Sequence, residues 1–123
     1  MILQRRANDK DTWPDALDVS VGGHYRAGET LVDVLREMPE EVGQGATLDA
    51  LAPLGCRLYV CDTESGTRDR EIQDVFMWRT PFAFGAFRPN PEEVAALELV
   101  TLADFLALTT GNATTVASRR LLP

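Results

Sequence analysis

Positive charge is what this sequence has least of. Lysine occurs once, at Lys10, and histidine once, at His24; the other basic residues are all arginine. Against nineteen acidic residues they leave a formal net charge of -7. There is no basic stripe, so the chain is not built to release counterions from a phosphate backbone, and no nucleic-acid partner is expected. Long apolar runs are missing too. No segment approaches the length of about eighteen residues that spans a bilayer. The opening residues, MILQRRANDKDT, lack the apolar segment of a signal peptide. The chain therefore reads as cytoplasmic, with no membrane partner. Cysteine is scarce. Cys56 and Cys61 lie five apart on one expected strand and point to opposite faces, which argues against an internal disulfide; they read as reduced core thiols. One histidine is too few for the usual structural zinc site.

What is present fits one domain over residues 1–123. Of these 123 residues 45% are hydrophobic, enough for a small core. Strands are expected over 2–6, 54–62, 70–79 and 96–101. The segment 7–16 reads as a loop, 17–25 as extended before it loops, and 63–68 as the turn of a hairpin. Helices are expected over 31–42 and from Leu102, with Thr101 as N-cap and Gly111 past the end. The tail after Gly111 is weakly specified. Irregular mixing of strands and helices argues for an α/β or α+β sandwich.

The most informative stretch is GGHYRAGETLVDVLREMPEEVG, Gly22 to Gly43. Thr30 caps the expected helix and Asp33 completes a capping-box pattern. Leu31, Val34, Leu35, Met38 and Val42 form its apolar stripe. Glu37, Glu40 and Glu41 cluster on another face, where each like-charged pair costs about 0.2–0.5 kcal/mol. A solvated acidic face is the ordinary explanation of such a cluster. Two features favour another. Clustered carboxylates are what hard cations such as Mg²⁺ or Mn²⁺ require, and a glycine-rich loop before a helix lets backbone approach a ligand.

Gly23, Glu29, Arg36, Glu37, Met38, Glu40, Glu41 and Gly43 match in order the signature G-x5-E-x7-R-E-U-x-E-E-x-G-U, where U is a bulky aliphatic residue. The chain thus resembles the Nudix hydrolases. The segment LQRRANDKDTWPDALDVSVGGH resembles the subgroup akin to isopentenyl diphosphate isomerase. The resemblance implies an α/β fold, a Nudix-type α/β/α sandwich with a mixed central sheet. It also implies hydrolysis of a diphosphate bond in a nucleoside diphosphate linked to another moiety, a small-molecule substrate. It places Mg²⁺ or Mn²⁺ on Glu37, Glu40 and Glu41 with the carbonyl of Gly23, counts Glu40, Glu41, Arg36 and Glu29 as catalytic, and pairs Arg36 with Glu29. His24, Asp69 and Glu71 match further metal- or substrate-binding positions of the isomerase-like branch. That branch also uses a cysteine beside the histidine. Gly22 stands there in this chain, so the resemblance points to hydrolase rather than isomerase.

Three departures accompany the match. Six residues, not seven, separate Glu29 from Arg36. Pro39 occupies the free position between Glu37 and Glu40, where an interior proline would remove the hydrogen bond to the Leu35 carbonyl and kink the helix at a cost of about 3 kcal/mol; Gln44 replaces the last aliphatic residue. The third departure is the start: in the family the box follows strands that pair in the central sheet, whereas here Met1 begins at what resembles the strand just before the loop, which suggests a truncated start or a second copy covering an exposed sheet edge, a homodimer. A non-catalytic Nudix-fold module that binds a nucleotide or a protein is the alternative function.

Overall fold

The computed structural model describes residues 1–62, 66 and 68–123. In chain order the elements are β1 (Ile2–Arg6), β2 (Leu17–Asp18), α1 (Leu31–Val34), α2 (Glu37–Val42), β3 (Leu51–Asp62), β4 (Arg68–Trp78), β5 (Val94–Leu99), α3 (Leu102–Thr109) and β6 (Arg119–Leu121). They fall into two compact units, Met1–Gly45 with Phe82–Pro123, and Ala46–Pro81. The α/β character expected from the sequence is present. No helix among the described residues is long and apolar enough to cross a membrane.

The first unit is built on a four-stranded sheet of order β2-β1-β5-β6, with every ladder antiparallel. β5 reads VAALEL, a nearly continuous apolar run, because it is buried along most of its length. Val94 and Leu97 on it are fully buried, and Leu3, Met38, Val42, Phe84 and Phe87 complete the core. Full burial of a side chain such as Leu97 is worth about 1.5–3 kcal/mol relative to exposure. α3 starts where expected: the Thr101 hydroxyl accepts the Asp104 N–H at 3.0 Å. β5 begins two residues before the expected start, and the short edge strand β6 emerges from the weakly specified tail. Of the extended segment after Ala16 only Leu17–Asp18 pairs, against Arg5 and Gln4.

The second unit is a hairpin. β3 and β4 form a two-stranded antiparallel sheet from Leu51 opposite Trp78 to Asp62 opposite Arg68, with a register shift between Pro53 and Gly55. The turn expected over 63–68 lies mostly outside the described residues. Cys56 and Cys61 are free thiols on opposite faces, facing Asp74 and Asp69 across the ladder. They are not core residues: Cys56 is exposed and Cys61 half-buried, because a two-stranded sheet buries neither face by itself.

The single helix expected over 31–42 is two helices with a turn at Leu35–Arg36. Both turn residues keep right-handed helical dihedrals, so the chain tightens rather than reverses. The Leu35 carbonyl accepts from Met38 N–H at 3.3 Å. The Asp33 carbonyl, which an unbroken helix would give to Glu37, accepts instead from the Arg36 guanidinium. The expected kink at Pro39 is therefore not where the helix breaks. Pro39 is the third residue of α2, in the first turn, where a backbone N–H has no intrahelical acceptor to lose.

Candidate functional site

Loop 22–29 and the start of α2 are in close contact. A Cβ on Gly23 would lie 2.5 Å from Glu37 Oε2 and 2.8 Å from Val34 Cγ1, so only glycine brings the loop backbone this near. Glu29 stays in the loop, one residue before the Thr30 cap. Its Oε2 accepts from the Arg26 N–H at 2.8 Å, and its Oε1 meets Arg36 Nη1 at 3.1 Å. The Glu29–Arg36 pair thus forms despite the shortened spacing. Arg36 also reaches Glu37 Oε1 at 3.5 Å, so one guanidinium ties loop and helix together. The capping box is present as expected, with the Asp33 carboxylate accepting from Thr30 N–H and Oγ1 at 2.8 and 2.7 Å. Those two bonds, backbone first, hold the Asp33 carboxyl below its usual range.

The other wall comes from far along the chain. Gly43 ends α2 at φ 72°, and a Cβ there would lie 2.6–3.0 Å from Arg88 Cβ, oxygen and nitrogen. The segment 88–90 docks onto the last carbonyls of α2: Arg88 N–H donates to Val42 at 2.8 Å and Asn90 N–H to Glu41 at 2.7 Å. This capping of a helix C-terminus delivers Asn90 and Glu93 beside Glu41. Gln44, the residue that departs from the aliphatic pattern, donates to the Ala86 carbonyl at 2.7 Å and fastens the same segment.

An open cleft of about 190 Å³ results, lined by Glu37, Glu40, Glu41, Asn90 and Glu93. Glu40 is exposed and Glu41 half-buried. Glu41 Oε2 is shut off from water with no hydrogen-bond partner. Burial pushes the Glu41 carboxyl up to about 7, with the charges of Glu93 and then Glu37 adding to the shift and Lys10 opposing it. Lys10 itself is paired with Glu93 Oε2 at 2.5 Å. Among the described residues no three His, Cys, Asp or Glu side chains converge closely enough to form a ready coordination shell.

The structure thus brings together Glu37, Glu40 and Glu41 in one cleft and Gly23, Glu29 and Arg36 behind it. His24 is exposed in the loop. Asp69 and Glu71 share one face of β4, opposite Cys61 and Tyr59. Asp69 and Glu71 belong to the second unit and His24 to the first. Sequence reasoning missed Glu93 and Asn90. The segment FRPNPEE carried only a loop signal, and nothing local reveals that α2 recruits it through Gly43.

Comparison with known proteins agrees with this geometry. A family model described as NUDIX domain matches residues 1–120. The chain is 35% identical over 109 residues to Nudix hydrolase 3 of Arabidopsis thaliana, covering 85% of this chain and 14% of that protein. An uncharacterized Nudix hydrolase of Clostridium acetobutylicum is 32% identical over 110 residues, 86% of this chain and 52% of the relative. The isopentenyl-diphosphate Delta-isomerase of Brevibacterium linens is 34% identical over 99 residues, 77% of this chain and 50% of the relative. This chain therefore spans about half the length of the latter two relatives and far less of the first. The match over nearly every residue, and the loop–helix geometry that its signature residues build, place this chain in the Nudix domain family.

Proposed function

We propose that residues 1–123 act as one Nudix domain, a hydrolase that cleaves a diphosphate bond in a nucleoside diphosphate linked to another moiety. The observation that carries this reading is the buried, unpartnered Oε2 of Glu41 in a cleft walled by Glu37, Glu40 and Glu93. A buried carboxylate without a donor is costly. Its natural partner is a cation, and an all-oxygen donor set suits Mg²⁺ or Mn²⁺. Glu37, Glu40, Glu41 and the Gly23 carbonyl would hold it. When bound, such a cation offsets the charge of phosphate oxygens, which lets a chain of net charge -7 accept an anionic substrate, and acidifies water.

The protein's own groups then have separable tasks. Arg36 holds Glu29 and Glu37 and sets the loop against α2. Glu40 or Glu41, as a carboxylate beside the attacking water, accepts its proton. Water adds to one phosphorus, the bridging P–O bond breaks, and a nucleoside monophosphate and a phosphorylated moiety leave. Cytoplasmic residence follows from the same reading, since such substrates are soluble metabolites. The alternative is a non-catalytic module that binds a nucleotide or a protein.

The test is a panel of nucleoside diphosphate derivatives incubated with Mg²⁺ or Mn²⁺, read as phosphate released after phosphatase treatment. Turnover that EDTA abolishes is expected. Saturable nucleotide binding without turnover on any member would support the module instead.

A further inference from the structure

The cleft is lined by four glutamates and by Asn90. Ionised carboxylates only accept hydrogen bonds, so Asn90 brings the donor side chain among these lining residues. Its other groups are already engaged. Its backbone N–H donates to the Glu41 carbonyl at 2.7 Å, and its carbonyl accepts from Glu93 and Val94 N–H at 3.0 and 2.8 Å. Its Oδ1 accepts from Glu92 N–H at 3.1 Å. A backbone N–H needs an oxygen as partner, so this turn fixes which way round the amide lies. Nδ2, with two hydrogens to give, is the group that the turn leaves over.

We infer that Asn90 Nδ2 donates to a non-bridging oxygen of the substrate's diphosphate. The inference rests on the diphosphate reading of the cleft and adds a substrate-binding residue to it. An amide nitrogen is a donor and ligates no cation, so its task differs from that of the glutamates. Phosphate oxygens that the cation does not take still need donors once they leave water.

A neutral donor also suits this cleft better than a cationic one. The ammonium of Lys10 is already held by Glu93 Oε2. A positive side chain among carboxylates pairs with them and competes with the cation. An amide donates without adding charge. Asn90 is fixed by its backbone bonds and by its own turn before any ligand arrives, so little rotamer freedom is left to lose on binding.

Isothermal titration with methylenediphosphonate tests this. The probe carries two phosphonates joined through carbon, so it binds without turnover. In Mg²⁺ the wild type is expected to bind it. Asn90→Ser keeps a short acceptor for the Glu92 N–H, adds no charge and loses the amide; the dissociation constant should rise about five- to tenfold. Asn90→Asp keeps the acceptor and puts a charge where the donor was, and should raise it at least about thirtyfold. Mn²⁺ affinity without the probe should stay within about twofold of wild type in Asn90→Ser, because the amide ligates no cation. A merely structural role would move both affinities together.

A wild type that ignores the diphosphonate, or an Asn90→Ser protein that binds it normally, would overturn the inference. Equal losses of diphosphonate and Mn²⁺ binding would do so too, by making Asn90 a support for Glu41. Two variants that both melt far below wild type would assign Asn90 to its turn alone, against the inference. Normal diphosphonate binding by Asn90→Ser, in a chain that turns over the nucleotide panel, removes this inference and leaves the hydrolase standing. Binding that needs the amide, in a chain that turns over nothing, removes the hydrolase and leaves this inference.

Discussion

Two buried glutamates in the first unit have opposite fates. Glu98 on β5 is 2% exposed, yet Ser118 Oγ donates to it at 2.6 Å, and Arg120 and Arg5 reach it at 2.7 and 3.4 Å. Burial pushes its carboxyl up, but those donors together hold it below its usual value. Glu41 is less deeply buried and has one oxygen with no donor, and its carboxyl rises to about 7. Burial alone does not decide what a carboxylate does; the donors around it do. Glu98 is complete within the chain and joins β1, β5 and β6. Glu41 has one oxygen that the chain leaves without a donor, as the cation site proposed above requires.

If that contrast holds, substitutions at the two sites will separate activity from stability. Glu41→Gln and Glu40→Gln should each lower kcat at least about a hundredfold, because each removes charge that the cleft presents to a cation. Steady-state kinetics on whichever substrate the panel identifies will show it; near-normal turnover in both variants would remove the cleft from the chemistry. Glu98→Gln should leave kcat within a few-fold and instead cost about 1–2 kcal/mol of stability in denaturant melts, since it weakens the charge-assisted hydrogen bonds from Arg5 and Arg120, which are themselves partly exposed. A Glu98→Gln protein as stable as wild type would mean that the network adds nothing net.

The pH dependence of stability should also differ in sign. Glu41 holds a proton in the folded protein above its ordinary 4.5, so in EDTA its contribution to stability falls as pH rises from about 4.5 to about 7, by about 1–2 kcal/mol after allowance for partial exposure. Glu98, held below its usual value, contributes above that value and loses its contribution as pH falls through the lowered pKa. Melts across this range for wild type and Glu41→Gln isolate the first effect, which the variant should lack. The smallest change is expected at Pro39→Gln. Pro39 lies in the first turn of α2, so the variant should move stability by less than about 1 kcal/mol and leave cation affinity within about twofold. A gain near 3 kcal/mol would show that the proline strains the helix after all.

Much of this was legible from residue order. Periodicity and caps located β1, β3, β4 and β5, the Thr101 cap and the capping box of Thr30 and Asp33, because these depend on neighbours in sequence; β2 and β6 were not among the expected strands. The Gly23–Glu29–Arg36–Glu37 arrangement was readable only through the resemblance to the Nudix signature, since the shortened spacing by itself argued against the Glu29–Arg36 pair. The break at Leu35–Arg36 was not. One deleted residue and one proline each predict a disturbance, but which carbonyls are rescued by Arg36 and Met38 depends on side-chain reach. Glu93 was illegible because it sits fifty-two positions after Glu41 and arrives only through the close approach of Arg88 to Gly43. The exposure of Cys56 was likewise hidden: alternation along β3 assigns faces, not what covers them.

Proton release on cation binding tests most directly whether Glu41 is a carboxylate waiting for a cation. Mn²⁺ is titrated into weakly buffered protein just below the Glu41 pKa of about 7, and the protons set free are counted. Wild type should release roughly 0.5–1 proton per cation bound, and Glu41→Gln none. Tight binding without proton release, or equal release from both proteins, would contradict the assignment of Glu41.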